Sequence, residues 1–251
     1  MGVYLSAQNK ILQMIDDGTP TTYAGDQVNG LSPGPLALAP NGDFYLGSNE
    51  AVMKITSTDI ITIASLADSL VLQGITVDSS ENVYVSRLTE FDVVKIAPDG
   101  SVSIFANSSM FTLAMGIAID SSDNIYITDQ HRILKFTLAG EMGVVAGRVQ
   151  GFLNALGELA RFSTPWALTI GSDGNLYVVD SDNNCIRKVD LTTREVTTYA
   201  GICLTSGTTD GLATDATFQM PVAIAAAADN IFYVVDGPSR AGYRVRKIFT
   251  V

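Results

Sequence analysis

Apolar residues along this chain come in short runs, each closed by turn-forming Gly, Asp, Asn, Ser or Pro. Within the runs apolar and polar positions alternate with a period of two, the mark of strands. Residues 165–201 give the clearest example. Pro165–Ile170 reads as a strand, Gly171–Gly174 as a tight turn with Asp-Gly, and Asn175–Asp180 as a second strand. Ser181–Asn184 is a polar loop, Cys185–Val189 a third strand, Asp190–Arg194 a turn and Glu195–Gly201 a fourth strand. A helical period is nowhere sustained. The segment from Phe152 to Phe162 contains Gly157 and is expected to be a loop with one turn of helix.

The pattern repeats. Tyr4, Tyr45, Tyr84, Tyr126, Tyr177 and Tyr233 each sit in a near-identical apolar run, at separations of 41, 39, 42, 51 and 56 residues. Each is followed by a second run carrying Gln13, Lys54, Lys95, Lys135, Lys188 or Lys247, so five of the six lysines share one position. First strands start at Pro35, Leu72, Ala114, Pro165 and Pro221. Their second residues differ (Leu36, Gln73, Met115, Trp166, Val222), while the third is always small: Ala37, Gly74, Gly116, Ala167, Ala223. A period of roughly 40 to 50 residues built of short strands signals a propeller or array. The expected fold is all-β: a six-bladed β-propeller of four-stranded antiparallel blades, with residues 1–251 as one domain. The chain opens on a second strand and closes after a third, so the first and last blades are expected to be incomplete.

Composition narrows the function. The chain is 47% hydrophobic and 16% charged, enough to bury a sizeable core, and no apolar run is long enough for a membrane-spanning helix. Its net charge of −11 opposes phosphate backbones and anionic lipids, so nucleic acid is not an expected partner and membrane insertion is not expected. No basic-then-apolar leader precedes Tyr4.

The run of Pro, any residue, a small residue, Ile or Leu, then Asp-Gly or Asn, Tyr-Val, Asp, Asn and Ile-Arg-Lys-Val resembles the NHL repeat. The resemblance is best at Pro165–Val189 and weaker at Pro35–Ile55 and Pro221–Ile248. Two linkers ending in Ala-x-Phe-x-x-Pro (Ala160, Phe162, Pro165; Ala216, Phe218, Pro221) are similar to those of bacterial and extracellular NHL arrays. The resemblance implies a propeller that often closes with an N-terminal strand completing the last blade. The chain is therefore expected to be a fragment or to lack that strand, leaving an edge open to pairing with another chain or segment. The runner-up is irregular closure with 22 strands.

In such a fold the loops between strands two and three, and those entering each first strand, gather around a channel mouth. That face is expected to carry Glu50, Arg87, Glu90, Asp129, His131, Asp180, Asp182, Asn183, Asp236 and Arg240, with Gln73, Met115 and Trp166 beside them. Trp166, the only tryptophan, is either an anchor for a peptide or sugar or a filler between blades; aromatics are more often buried for their area. The oxygens of Asp180–Asn184 suit Ca²⁺ in kind, but turn capping explains them more simply. With His131 as the only histidine, no catalytic zinc set is expected, and no catalytic residue or cofactor is assigned. Cys185 and Cys203 flank one hairpin and are either a disulfide, implying an oxidising compartment, or two thiols. With the sequon Asn107-Ser108-Ser109 they tilt the expectation to an extracellular or periplasmic setting. Two functions remain: a binding module for a protein, peptide or glycan, or a metal-assisted hydrolase or lactonase. The apolar first strands favour the binding module.

Overall fold

The computed structural model describes residues 3–7, 10–14, 20–24, 34–48, 51–66, 71–107, 109–227, 231–237 and 242–249. The chain divides into two compact units, Met1–Ile119 and Asp120–Val251. In the first, β1 (Val3–Ala7), β2 (Lys10–Met14) and β3 (Pro20–Ala24) form a three-stranded sheet. Two four-stranded sheets follow. One comprises β4 (Leu36–Leu38), β5 (Phe44–Ser48), β6 (Ala51–Ile55) and β7 (Ile60–Ser65); the other β8 (Leu72–Val77), β9 (Val83–Arg87), β10 (Asp92–Ile96) and β11 (Val102–Ala106). Strand β12 (Ala114–Ile119) packs on β8.

The second unit continues with β13 (Ile125–Asp129), β14 (Arg132–Phe136) and β15 (Met142–Ala146). A short parallel pair, β16 (Val149–Gln150) and β17 (Arg161–Phe162), ties together the linker that enters the next sheet. That sheet is β18 (Pro165–Ile170), β19 (Leu176–Asp180), β20 (Cys185–Val189) and β21 (Val196–Ala200). The last is three-stranded: β22 (Pro221–Ala226), β23 (Phe232–Asp236) and β24 (Arg244–Ile248). Strands fall where the alternation puts them, and residues 152–162 hold a single 3₁₀ turn, Gly157–Leu159. Gly174 has φ +76°, as its Asp-Gly turn requires.

The recurring tyrosine and lysine now have a cause. They are cross-strand partners on neighbouring second and third strands: Tyr45 with Lys54, Tyr84 with Lys95, Tyr126 with Lys135, Tyr177 with Lys188, and Tyr233 with Lys247. Each ammonium lies 5.5–5.9 Å from the ring centroid. A cation over a ring face is attracted by its quadrupole, worth about 0.5–1 kcal/mol at exposed sites. The tyrosine hydroxyls donate to the aspartate of the preceding turn, Tyr84 to Asp78, Tyr126 to Asp120 and Tyr177 to Asp173, at 3.0–3.1 Å. Turn, ring and lysine thus form one repeating clasp.

Apolar faces pack between successive sheets. In the first unit Tyr45, Val52, Ile75, Val83, Val85 and Val94 share a cluster; in the second Tyr177, Ile186, Phe218, Phe232 and Val234 do. The small third residue of β8 is required by close approach. A Cβ on Gly74 would lie 2.9 Å from Ile117 Cγ2 and 3.0 Å from the Met115 carbonyl oxygen of β12.

Candidate functional site

The site begins with what holds the two long linkers. Asp180 ends β19 with no exposed surface. Its carboxylate accepts from the Ser163 backbone N–H (2.8 Å), Asn183 Nδ2 (2.8 Å) and Arg187 Nη1 (2.8 Å). Arg187, at the centre of β20, is itself fully buried, between the rings of Phe152 and Phe162 at 4.8 and 5.1 Å. Its other Nη hydrogens go to linker acceptors, the Leu153 and Arg161 carbonyls (3.1 and 3.0 Å) and Asn154 Oδ1 (2.7 Å), while the buried Nε–H has no partner among the described residues. A buried guanidinium is costly unless its charge and donors are met, and this one draws the linker inward to meet four of its five N–H groups. Burial pushes the Asp180 carboxyl up to about 6, against the pull of Asn183, the Ser163 N–H and Arg187. Burial likewise lowers the pKa of Arg187.

The same construction recurs one repeat later. Asp236 accepts from the Gln219 N–H (2.6 Å) and Arg246 Nη1 (3.3 Å). Arg246 donates onward to the Thr217 and Thr209 carbonyls and to Asp210, and stacks on Phe218 at 4.6 Å. The equivalent residues of β10 and β14 are Val94 and Leu134, in repeats with short linkers. The arginine therefore accompanies the long linker. Sequence reasoning passed over Arg187 and Arg246. The available signal was an arginine inside a strand, paired with the Ala-x-Phe-x-x-Pro linker whose phenylalanine stacks on it.

The second linker has a covalent tie as well. Cys185 and Cys203 form a disulfide, with Cα atoms 5.0 Å apart, which settles the two readings left open by the sequence. Held this way, the two linkers present large apolar side chains to solvent. Leu156, Leu159, Leu204 and Leu212 are 58, 73, 66 and 64% exposed, and Leu153, Ile202 and Met220 are also open.

The residues expected at a ligand-binding face separate into two groups. Asp129, Asp180, Asn183 and Asp236 are buried and committed inside the fold, Asp129 to Arg132 at 2.7 Å. That corrects the expectation that they are open to a ligand: strand-end carboxylates cap linkers and arginines. Asp180 and Asn183 in particular engage their side-chain polar atoms in internal hydrogen bonds. Met115 is also corrected, being only 3% exposed. Half-buried or exposed are Gln73, Arg87, Glu90, His131, Trp166 and Asp182. Arg87 is gripped by Asp92 through two bonds of 2.7 and 2.6 Å, and Asp182 accepts from Thr164 Oγ1 at 2.6 Å. Glu50 and Arg240 lie outside the described residues. Among the described residues no group of three or more His, Cys, Asp or Glu is arranged to hold a metal ion.

The best-formed repeat is also the one that matches a family model, the NHL repeat, over residues 162–189. The chain carries an NHL repeat. The match covers β18 to β20 and includes Asp180, Cys185 and Arg187. Two curated relatives are similar: Teneurin-m of Drosophila melanogaster, 29% identical over 143 residues, and Teneurin-3 of Mus musculus, 25% identical over 230. They align with 49% and 82% of this chain, which spans only 5% and 8% of their lengths.

Among solved structures, a Bacteroides thetaiotaomicron protein of unknown function has a TM-score of 0.77 at 21% identity, covering 96% of this chain and 66% of its own. An auxiliary nutrient binding protein from the same organism scores 0.74 at 18% identity, covering 94% and 63%. A streptogramin B lyase scores 0.66 at 16% identity, covering 100% and 80%. These likenesses establish the fold. It is an all-β propeller of antiparallel NHL-type blades, four-stranded except for the first and last, which are three-stranded among the described residues.

Proposed function

We propose that this NHL-type propeller is a non-catalytic binding module, presenting the linkers that enter β18 and β22 to a protein, peptide or glycan. One observation carries the reading: exposed leucines ride on segments fixed by buried arginines and a disulfide. Rigid apolar anchors lose little entropy on binding, which is what a recognition surface needs. The similarity in fold to an auxiliary nutrient binding protein supports a binding role. An anchoring role for the half-buried Trp166 belongs to the same reading. So does an extracellular or periplasmic setting, which the disulfide favours.

The test compares wild type with Leu156→Glu/Leu204→Glu and with Trp166→Ala in cross-linking capture from the native source. A partner held by wild type and lost by the variants, with unchanged melting, supports the module. Equal capture by all three sinks it. The fold likeness to a streptogramin B lyase supports an enzymatic second reading, for which the sequence offered a metal-assisted hydrolase or lactonase. A stoichiometric divalent ion in the purified protein, whose removal lowers the melt, would select that reading instead.

A further inference from the structure

Positive charge in this chain is mostly committed within the fold. The five clasp lysines lie over tyrosine rings, and Arg87, Arg132, Arg187 and Arg246 pair with aspartates. Among the described side chains four basic ones have neither partner: Arg148, Arg161, Arg194 and Arg244. Three of these four belong to one place, the linker that enters β18. Arg148 and Arg161 lie on it, and Arg194 is in the turn between β20 and β21 that it bridges.

The linker interleaves these arginines with its leucines. Leu153 bridges to Arg161, and Leu156 to Glu195, the residue after Arg194. The Gly157 N–H donates to the Arg194 carbonyl at 2.8 Å, and the Arg148 guanidinium lies 3.7 Å from Glu158, between Leu156 and Leu159 in sequence. Leu153, Leu156, Leu159 and all three arginines are exposed. The backbone beneath them is fixed. Buried Arg187 donates to the Leu153 and Arg161 carbonyls, and the Val196 N–H to the Ala155 carbonyl at 2.9 Å. Two carboxylates, Glu158 and Glu195, stand among three guanidiniums, so the patch is locally positive on a chain of net charge −11.

We propose that this patch docks an acidic, leucine-type apolar segment of a partner polypeptide, its carboxylates on Arg161 and Arg194 and its apolar side chains over Leu153, Leu156 and Leu159. The proposal rests on the binding-module reading and adds the chemistry of the partner. Exposed arginines beside apolar anchors are what a protein interface uses: the fork takes a carboxylate through two hydrogen bonds, and the stem adds apolar contact. A short segment is sensed within about a Debye length, ~8 Å at physiological salt, so the local arginines govern it. An anionic membrane or long anionic polymer meets the field of the whole acidic chain instead, which repels it. Glu158 and Glu195 add to that discrimination. They would oppose a continuous layer of phosphates, whereas a peptide can set its carboxylates clear of them.

The test pans the full chain against a displayed library of random short peptides, then measures the enriched peptide, fluorescently labelled, by anisotropy. Enriched sequences are expected to set Asp or Glu beside Leu, Ile or Phe, and binding should weaken as salt rises through about 0.1–1 M. Arg161→Glu/Arg194→Glu changes two exposed side chains, so its melt should match wild type. It should weaken binding about fivefold to fiftyfold, two exposed attractions having become repulsions. The same peptide with lysine for its acidic residues should regain affinity for that variant. Neutral peptides whose binding falls with Leu156→Glu but not with the arginine variant would overturn the acidic partner and leave the binding module standing. Peptides indifferent to both variants would overturn the patch. So would the absence of any enriched peptide, or binding to phosphatidylglycerol vesicles in place of peptides.

Discussion

Arg187→Met offers the sharpest test of how the first long linker is held. Methionine fills a similar length but returns none of the four hydrogen bonds to Asp180, Leu153, Asn154 and Arg161. Three effects compete. Asp180 keeps Asn183 and the Ser163 N–H but loses its only cation in a site with no exposure. Linker acceptors must find water or go unpaired, at about 1–3 kcal/mol each when they stay buried. Against this, the desolvation cost of the guanidinium disappears. Removing one partner of a buried pair typically costs about 3–5 kcal/mol, which sets the expectation here. For a chain of this size that corresponds to a fall in Tm of roughly 6–20 °C. Thermal and urea unfolding by circular dichroism would read it.

Trypsin gives a second, local readout. Arg148 and Arg161 are exposed on the linker and should be cut faster once it is released. The double variant Asp180→Asn/Arg187→Met should lose less than the sum of the singles, since no buried charge is then left without a partner. A loss below about 1 kcal/mol, the level of a surface ion pair, with unchanged cleavage would refute the anchoring role.

Gly74→Val should destabilise by about 1–3 kcal/mol through overpacking against Ile117 and Met115, and an unchanged melt would show that β8 and β12 can separate at no cost. Cys185→Ser opens a disulfide of sequence separation 18, and a closed loop of that size predicts a loss of about 3 kcal/mol. A reductant should lower the wild-type melt and leave that variant unaffected. For pH, burial pushes the Asp173 carboxyl up, but Lys188, Asn175 and Tyr177 together outweigh it and hold it well below the usual range. A folded pKa below the unfolded value stabilises fully above the ordinary aspartate range, near ~3.9. That stabilisation is lost as pH falls through the folded value. Asp173→Asn should therefore flatten the acid limb of the stability profile below about pH 4, and an unaltered limb would remove Asp173 from its cause.

The sequence by itself determined the strands and their order in this protein. Period-two alternation, Asp-Gly turns and the tyrosine spacing are local signals, and short hairpins leave little choice of partner, so β18 to β21 fall within a residue or so of their expected bounds. The lysines were visible as a recurrence, although their purpose was not: a residue meets its cross-strand ring only once the hairpin has closed. Burial at the strand ends was decided by tertiary structure. In sequence Asp180 and Asp236 look like loop carboxylates open to a ligand or cation. Folding turns them inward because arginines on the third strands and N–H groups from linkers many residues away converge on them. The disulfide and the fixed leucine-bearing linkers have the same origin. Each depends on which distant segment arrives beside a given strand, and that is settled by the packing of whole sheets.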